Sequence, residues 1–209
     1  MKIEIWSDIM CPFCYIGKRQ LESALAEFPN HEFEIEWKSF QLDPTITAQS
    51  GKDVYTFLAE RKGISVEESK EMHKGVVERA KSVGLDYHFD KAVISNSLEA
   101  HRIIQLAKTK KLGDAMEEIF FKAYFTEGRD LNDAATFIEL GTNAGLNSDD
   151  VKEVLENENL YLADVHNDII EAQQIGVQGV PFFVFDRKYA VSGAQPVEAF
   201  VNTIKEVLQ

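Results

Sequence analysis

Hydrophobic and polar positions change period three times along the chain. Lys2 to Trp6 reads as a short strand with Ile3 and Ile5 on one face. From Pro12, Ile16, Leu21, Ala24, Leu25 and Phe28 approximate helical spacing until Pro29-Asn30 stops it. The clearest alternation follows, with Phe33, Ile35 and Trp37 set against Glu32, Glu34, Glu36 and Lys38. Strand, helix and strand within 40 residues make a βαβ unit, so the two strands should be parallel with a right-handed crossover.

After Leu42-Asp43-Pro44 the pattern is helical to about residue 160. Predicted helices cover Asp53 to Lys62 and Ser65 to Val83, the latter opened by Ser65 and Glu68 at capping-box spacing and followed by Gly84. Asn96 with Glu99 opens another. Leu112 to Phe125 and Asp133 to Ala144 follow, and Ser148-Asp149-Asp150 caps a short last one. The end returns to α/β patterning. Tyr161 to Ile175 is helical, 176–181 is a turn cluster, and Phe182 to Phe185 is a buried-type strand. Asp186-Arg187-Lys188 turns the chain into Tyr189 to Val191, an antiparallel partner, and Pro196 starts a final amphipathic helix. Residues 1–43 and 161–209 are therefore expected to form one discontinuous α/β domain, with 44–160 as an all-helical insertion.

Composition narrows the function classes. The chain has 209 residues, 44% of them hydrophobic, and its 14 Phe supply ample core volume. A net charge of −13 argues against nucleic acid or an anionic membrane as partner. No apolar run approaches a membrane span, and Lys2, Glu4 and Asp8 interrupt any signal-peptide pattern, so a cytoplasmic location is expected. Two cysteines form no disulfide framework; in a reducing compartment such a pair points to catalysis or metal binding.

Both cysteines lie in Ser7-Asp8-Ile9-Met10-Cys11-Pro12-Phe13-Cys14-Tyr15, where the first strand gives way to the first helix. The free N–H groups and positive dipole end of a helix stabilise a thiolate there, and Pro12 suits the first helical position. Zinc would need further ligands, and His31, His73, His88, His101 and His166 are scattered, so no metal is expected and idle thiols are the remaining bland reading. Asp8 reads first as a turn-stabilising residue, Trp6 as core, and Met10 and Phe13 as an apolar rim. His101 reads as an ordinary helical histidine and Arg129 as half of a loop ion pair.

The dithiol at the first strand–helix junction, the helical insertion and the returning helix–turn–β–β–α resemble the thioredoxin fold of the DsbA family, and most closely its FrnE-like branch. The matching pieces are residues 7–14, Phe125-Thr126-Glu127-Gly128-Arg129-Asp130, the run 176–184 and Ser192-Gly193-Ala194-Gln195-Pro196. The resemblance implies that Cys11 attacks, Cys14 resolves, and Pro181 is a cis-proline facing the dithiol, preceded by Val180. It also implies that Pro12, Phe13 and Val180 touch substrate, with the backbone beside Pro181 pairing to an extended segment. Phe13 departs from the family, which often carries Trp or, in periplasmic oxidants, His. A phenyl ring offers the Cys11 thiolate neither cation nor N–H, so a less acidic thiol and a milder oxidant are expected.

The implied function is a thiol–disulfide oxidoreductase of reductase or isomerase type. It would act on a disulfide- or dithiol-bearing protein or small molecule, with no cofactor beyond glutathione as redox partner, as a monomer or homodimer. Two alternatives stand beside it. One is glutathione-dependent small-molecule chemistry of the kappa-class or 2-hydroxychromene-2-carboxylate isomerase type, which typically uses serine at the position of Cys11. The other is a peptide-binding module without enzymatic activity.

Overall fold

The computed structural model describes residues 1–47 and 52–209. Four strands, β1 (Lys2–Ser7), β2 (Glu34–Ser39), β3 (Phe182–Phe185) and β4 (Tyr189–Ser192), form one sheet in the order β2-β1-β3-β4. Helix α1 (Pro12–Leu25) makes the crossover between β1 and β2, which pair in parallel with Ile3 opposite Ile35 and Ile5 opposite Trp37. β3 pairs antiparallel to β1, bringing Phe183 opposite Ile5, and β4 pairs antiparallel to β3. The three-residue connection, 186–188, has positive φ at Asp186 (46°) and Arg187 (56°), and Lys188 N donates to Phe185 O at 2.9 Å to close the turn.

β1 is covered on both faces, and the pleat sorts its residues. Ile3 and Ile5, with Phe183 and Phe185, point into the main core shared with α1 and the last helix, α9 (Val197–Val207); there Phe183 meets Phe200 edge-on at 4.8 Å. Trp6 and Val184 point the other way, against Ala172 and Val177 of α8 (Leu162–Gln174) and the turn after it. The Trp6 indole N–H donates to Asp168 O at 2.9 Å, and the Asp168 carboxylate accepts from Ser39 N at 3.0 Å and from the Gln105 amide at 2.6 Å. One buried carboxylate thus pins α8 to the sheet and to the insertion.

Between β2 and α8 lie α2 (Val54–Lys62), α3 (Val66–Ser82), α4 (Leu98–Thr109), α5 (Gly113–Lys122), α6 (Ala134–Ala144) and α7 (Ser148–Glu156). The starts of α2, α3, α6 and α7 carry side-chain caps, whereas those of α4 and α5 carry none. Asp53 accepts from Thr56 N, and Ser65 and Glu68 form the complete reciprocal box. Several boundaries differ from the sequence pattern: α1 ends at Leu25 rather than Phe28, β2 begins at Glu34, and the N-cap of α4 is Ser97 rather than Asn96. The cap before α7 is Asn147, whose side chain accepts from Asp149 N, rather than Ser148. The apolar run to Phe125 is not one α-helix: α5 ends at Lys122 and a π-helical turn, Ala123–Glu127, follows. Such a turn arises where tertiary packing favours one extra residue in the backbone ladder, a choice hydrophobic spacing does not encode. Gly128 closes it at φ 66°, and a Cβ there would lie 2.5 Å from Lys91 Cβ and 2.7 Å from Lys91 O. The apolar core runs without a break from the sheet through Tyr15 and Phe121 to Phe137 and Val151 of the insertion.

Candidate active site

Cys11 is the N-cap of α1 with extended backbone (φ −92°, ψ 110°), and Pro12 occupies the first turn. No side chain caps this helix, and a thiolate on Cys11 would sit at the positive end of its dipole. Backbone bonds shape the loop: Cys11 N donates to Asp8 O at 2.9 Å and Cys14 N to Cys11 O at 3.0 Å. Asp8 locks the preceding turn, its carboxylate accepting from Met10 N at 3.1 Å and from Leu42 N at 2.7 Å. The turn-stabilising reading of Asp8 therefore holds.

Opposite stands the turn before β3. The Val180–Pro181 peptide bond is cis, and the Cys11 thiol donates to Val180 O at 3.5 Å. Two features hold this wall close. Gly193 N, at the end of β4, donates to Pro181 O at 2.8 Å. Gly17 lets α1 approach, since a Cβ there would lie 3.0 Å from both Pro181 Cγ and Phe183 Cζ. Cys11 is 3% exposed and Cys14 fully buried, both as free thiols. Burial pushes the Cys14 thiol far above its ordinary value, and the neighbouring Cys11 sulfur adds to the effect. Cys14 is thus held as a protonated thiol.

Several supports come from the insertion and had no sequence signal. The Tyr87 hydroxyl donates to Pro12 O at 2.7 Å, its ring stacked on Phe125 at 4.7 Å. Arg79 of α3 places its guanidinium 5.4 Å from the centre of the Phe13 ring and donates to Ala194 O, linking the dithiol loop to the loop after β4. Phe13 is partly buried rather than fully presented to solvent. Trp6 lies on the opposite face of the sheet, in the second core. Arg129 pairs with Glu139 at 2.6 Å on the surface, as the loop reading had it.

Behind Cys14 the insertion contributes a buried polar cluster. His101 of α4 brings Nε2 to 3.8 Å from the Asp8 carboxylate, and Glu117 of α5 sits beside it, 1% exposed. Burial opposes a charged His101, but Asp8 and Glu117 outweigh it and hold the imidazole above its ordinary value. Burial pushes the Glu117 carboxyl up to about 7, against the pull of His101 and Ser7. Ser7 lies against both the Cys14 thiol and the Glu117 carboxyl. Among the described residues, Ser7 Oγ, His101 Nε2 and Glu117 Oε1 have no hydrogen-bond partner. The ordinary helical reading of His101 does not extend to its buried place beside Asp8, and Glu117, next to Glu118 on α5, carries no sequence signal that sets it apart.

On the solvent side of Cys11 lies a cavity of about 570 Å³. Cys11 and Phe13 line it from the dithiol loop, Phe57 and Val76 from α2 and α3, and Phe89 and Phe125 from the loop and π-helical turn. Among the described residues no group of three or more His, Cys, Asp or Glu is placed to hold a metal ion, and no helix is long and apolar enough to cross a membrane.

Comparison with known proteins bears on this arrangement. The probable DsbA oxidoreductase SCO1869 of Streptomyces coelicolor superposes with a TM-score of 0.94 at 37% identity, over 100% of this chain and 90% of that one. The cytosolic disulfide reductase DsbM of Pseudomonas aeruginosa shares the fold at a TM-score of 0.70 and 16% identity, covering 100% and 98% of the two chains. A 2-hydroxychromene-2-carboxylate isomerase shares it at 0.72 and 14%, covering 100% and 96%. The family model for the DSBA-like thioredoxin domain matches residues 2–205, and on that match the chain belongs to the DSBA-like thioredoxin family.

Proposed function

We propose that the protein is a thiol–disulfide oxidoreductase working in the reductase or isomerase direction, with Cys11 as nucleophile and Cys14 as resolving thiol. The observation that carries this reading is the asymmetry of the pair: Cys11 caps a helix opposite Val180, while Cys14 is buried behind it with its proton held. The Cys11 thiolate attacks one sulfur of a substrate disulfide, and the other sulfur leaves as a thiolate that takes up a proton. Cys14 then loses its proton and attacks the Cys11 sulfur, expelling the second substrate thiol and closing the Cys11–Cys14 disulfide. Two electrons pass from protein to substrate. Pro12, Phe13 and Val180 contact the substrate, and the backbone at Val180 pairs with an extended one.

Glutathione is our choice for the thiol that re-reduces the protein, supported by a DsbM structure that carries GSH. A reducing, cytoplasmic setting is supported by a content of only two cysteines. The test is reduction of hydroxyethyl disulfide and of insulin with glutathione as reductant. Cys11→Ala should abolish both, and Cys14→Ala should accumulate a mixed disulfide on Cys11 visible by mass spectrometry. Undiminished turnover by Cys11→Ala would overturn the reading in favour of chemistry without the thiol.

A further inference from the structure

The cavity beside Cys11 has a composition that the disulfide chemistry alone does not call for. Its volume of about 570 Å³ lies in the range of small-molecule sites, roughly 300–1,000 Å³. Its wall is built mainly from apolar side chains of Met, Leu, Ile, Val, Phe and Tyr. The polar groups that reach it are largely taken up by protein partners. Asp43 pairs with Arg61 and accepts from Thr45 N at 3.0 Å, and Arg61 also lies over the Phe57 ring at 5.4 Å. His73 Nδ1 lies 2.8 Å from Ser69 O, and burial lowers its pKa, so the ring is neutral at pH 7. The Ser95 hydroxyl donates to Val93 O at 2.9 Å.

A polar, multiply charged ligand would forfeit its hydration in such a site and find few partners in return. The exposed part of the lining is mixed: Leu42 and Met72, 51% and 46% exposed, stand with the cations Arg61 and Lys62, so the apolar surface lies mainly in the interior. Cys11 forms part of the wall, so a ligand seated inside presents its near end to that sulfur.

We infer that this cavity is a binding site for the apolar body, ring-sized or branched-alkyl, of a low-molecular-weight disulfide whose reacting sulfur is delivered to Cys11. The inference rests on the oxidoreductase reading for its chemistry, and it names the substrate class. The steps are those above: both electrons of the dithiol end on two released apolar thiols. The insertion then acts as the specificity element, through α2, α3 and the π-helical turn.

The test uses the full-length reduced protein in single turnover, following thiol release from 4,4′-dithiodipyridine as the aromatic probe and from hydroxyethyl disulfide as the small polar one. Val76→Trp fills the cavity from α3, and Met72→Trp blocks its mouth from an exposed position that leaves folding undisturbed. In each variant the ratio of aromatic to polar rate constants should fall about tenfold or more. An unchanged ratio in both variants overturns the inference. An equal loss on insulin also overturns it, because the cavity would then serve a polypeptide side chain. Independently of turnover, the Cys11→Ser/Cys14→Ser protein should bind 4,4′-dithiodipyridine saturably in calorimetry, and Val76→Trp should abolish that binding. Absence of binding overturns the inference; binding without reduction of any disulfide by the unmodified protein would sink the oxidoreductase reading and leave the site standing.

Discussion

Glu117 offers the sharpest quantitative test of the site's architecture. Its carboxyl is buried among His101 on α4, Ser7 and Asp8 at the end of β1, and Asp114 on its own helix. In the unfolded chain it titrates at the ordinary 4.5; in the folded protein burial raises it to about 7. Below the lower value it is protonated in both states and costs nothing. As pH rises between the two, only the unfolded state releases its proton, so stability falls. Above the folded value the deficit is constant, about 3 kcal/mol at ~1.4 kcal/mol per tenfold change in proton affinity. Glu117→Gln keeps the shape and removes the titration. The reduced variant should match the unmodified protein to within about 1 kcal/mol at pH 5 and exceed it by up to about 3 kcal/mol at pH 8, raising Tm by roughly 6–12 °C. His101 returns part of this gain. Its raised pKa gives stability that is present below 6.5 and lost as pH rises through the folded value, and Glu117 is one of the groups holding it up. The assay is urea unfolding followed by tryptophan fluorescence at pH 5, 6, 7 and 8. A difference independent of pH, or a variant less stable at pH 8, would refute a carboxyl kept neutral by burial.

Two further substitutions test how the insertion supports the dithiol. Gly128→Ala puts a Cβ at φ 66° against the Lys91 backbone, and should cost about 2 kcal/mol or more in urea unfolding; a neutral result would mean that the π-helical turn is not fixed at this point. Tyr87→Phe deletes the bond to Pro12 O and should cost about 1 kcal/mol. It should also slow single-turnover disulfide reduction, whereas a stability loss with unchanged rates would confine Tyr87 to packing.

Much of this architecture is local in origin and could be read along the chain. The alternation at Phe33, Ile35 and Trp37, the box at Ser65 and Glu68, and the placing of Cys11-Pro12-Phe13-Cys14 at a strand–helix junction each depend on neighbours within a few residues. What was not legible involves partners far apart in sequence. Glu117 looks like any helical acid until α5 packs against β1 and seals it beside His101 and Ser7, and Tyr87 gains a role only when the loop after α3 reaches Pro12. The π-helical turn splits a run whose apolar spacing favours continuous helix, because the packing around Gly128 and Lys91 sets the backbone there.

Residue types and their periods therefore determined the strands, most of the helices and the identity of the reactive pair, since backbone propensity and thiol chemistry are properties of short segments. Tertiary structure alone decided that Cys14 keeps its proton, how closely Val180 approaches Cys11 and what can reach that sulfur. Desolvation of Cys14, the approach of Val180 to Cys11, and the apolar cavity walled by α2, α3 and the π-helical turn all come from surfaces brought together across the fold. Burial and electrostatic coupling depend on distance in space, and sequence separation carries no record of it.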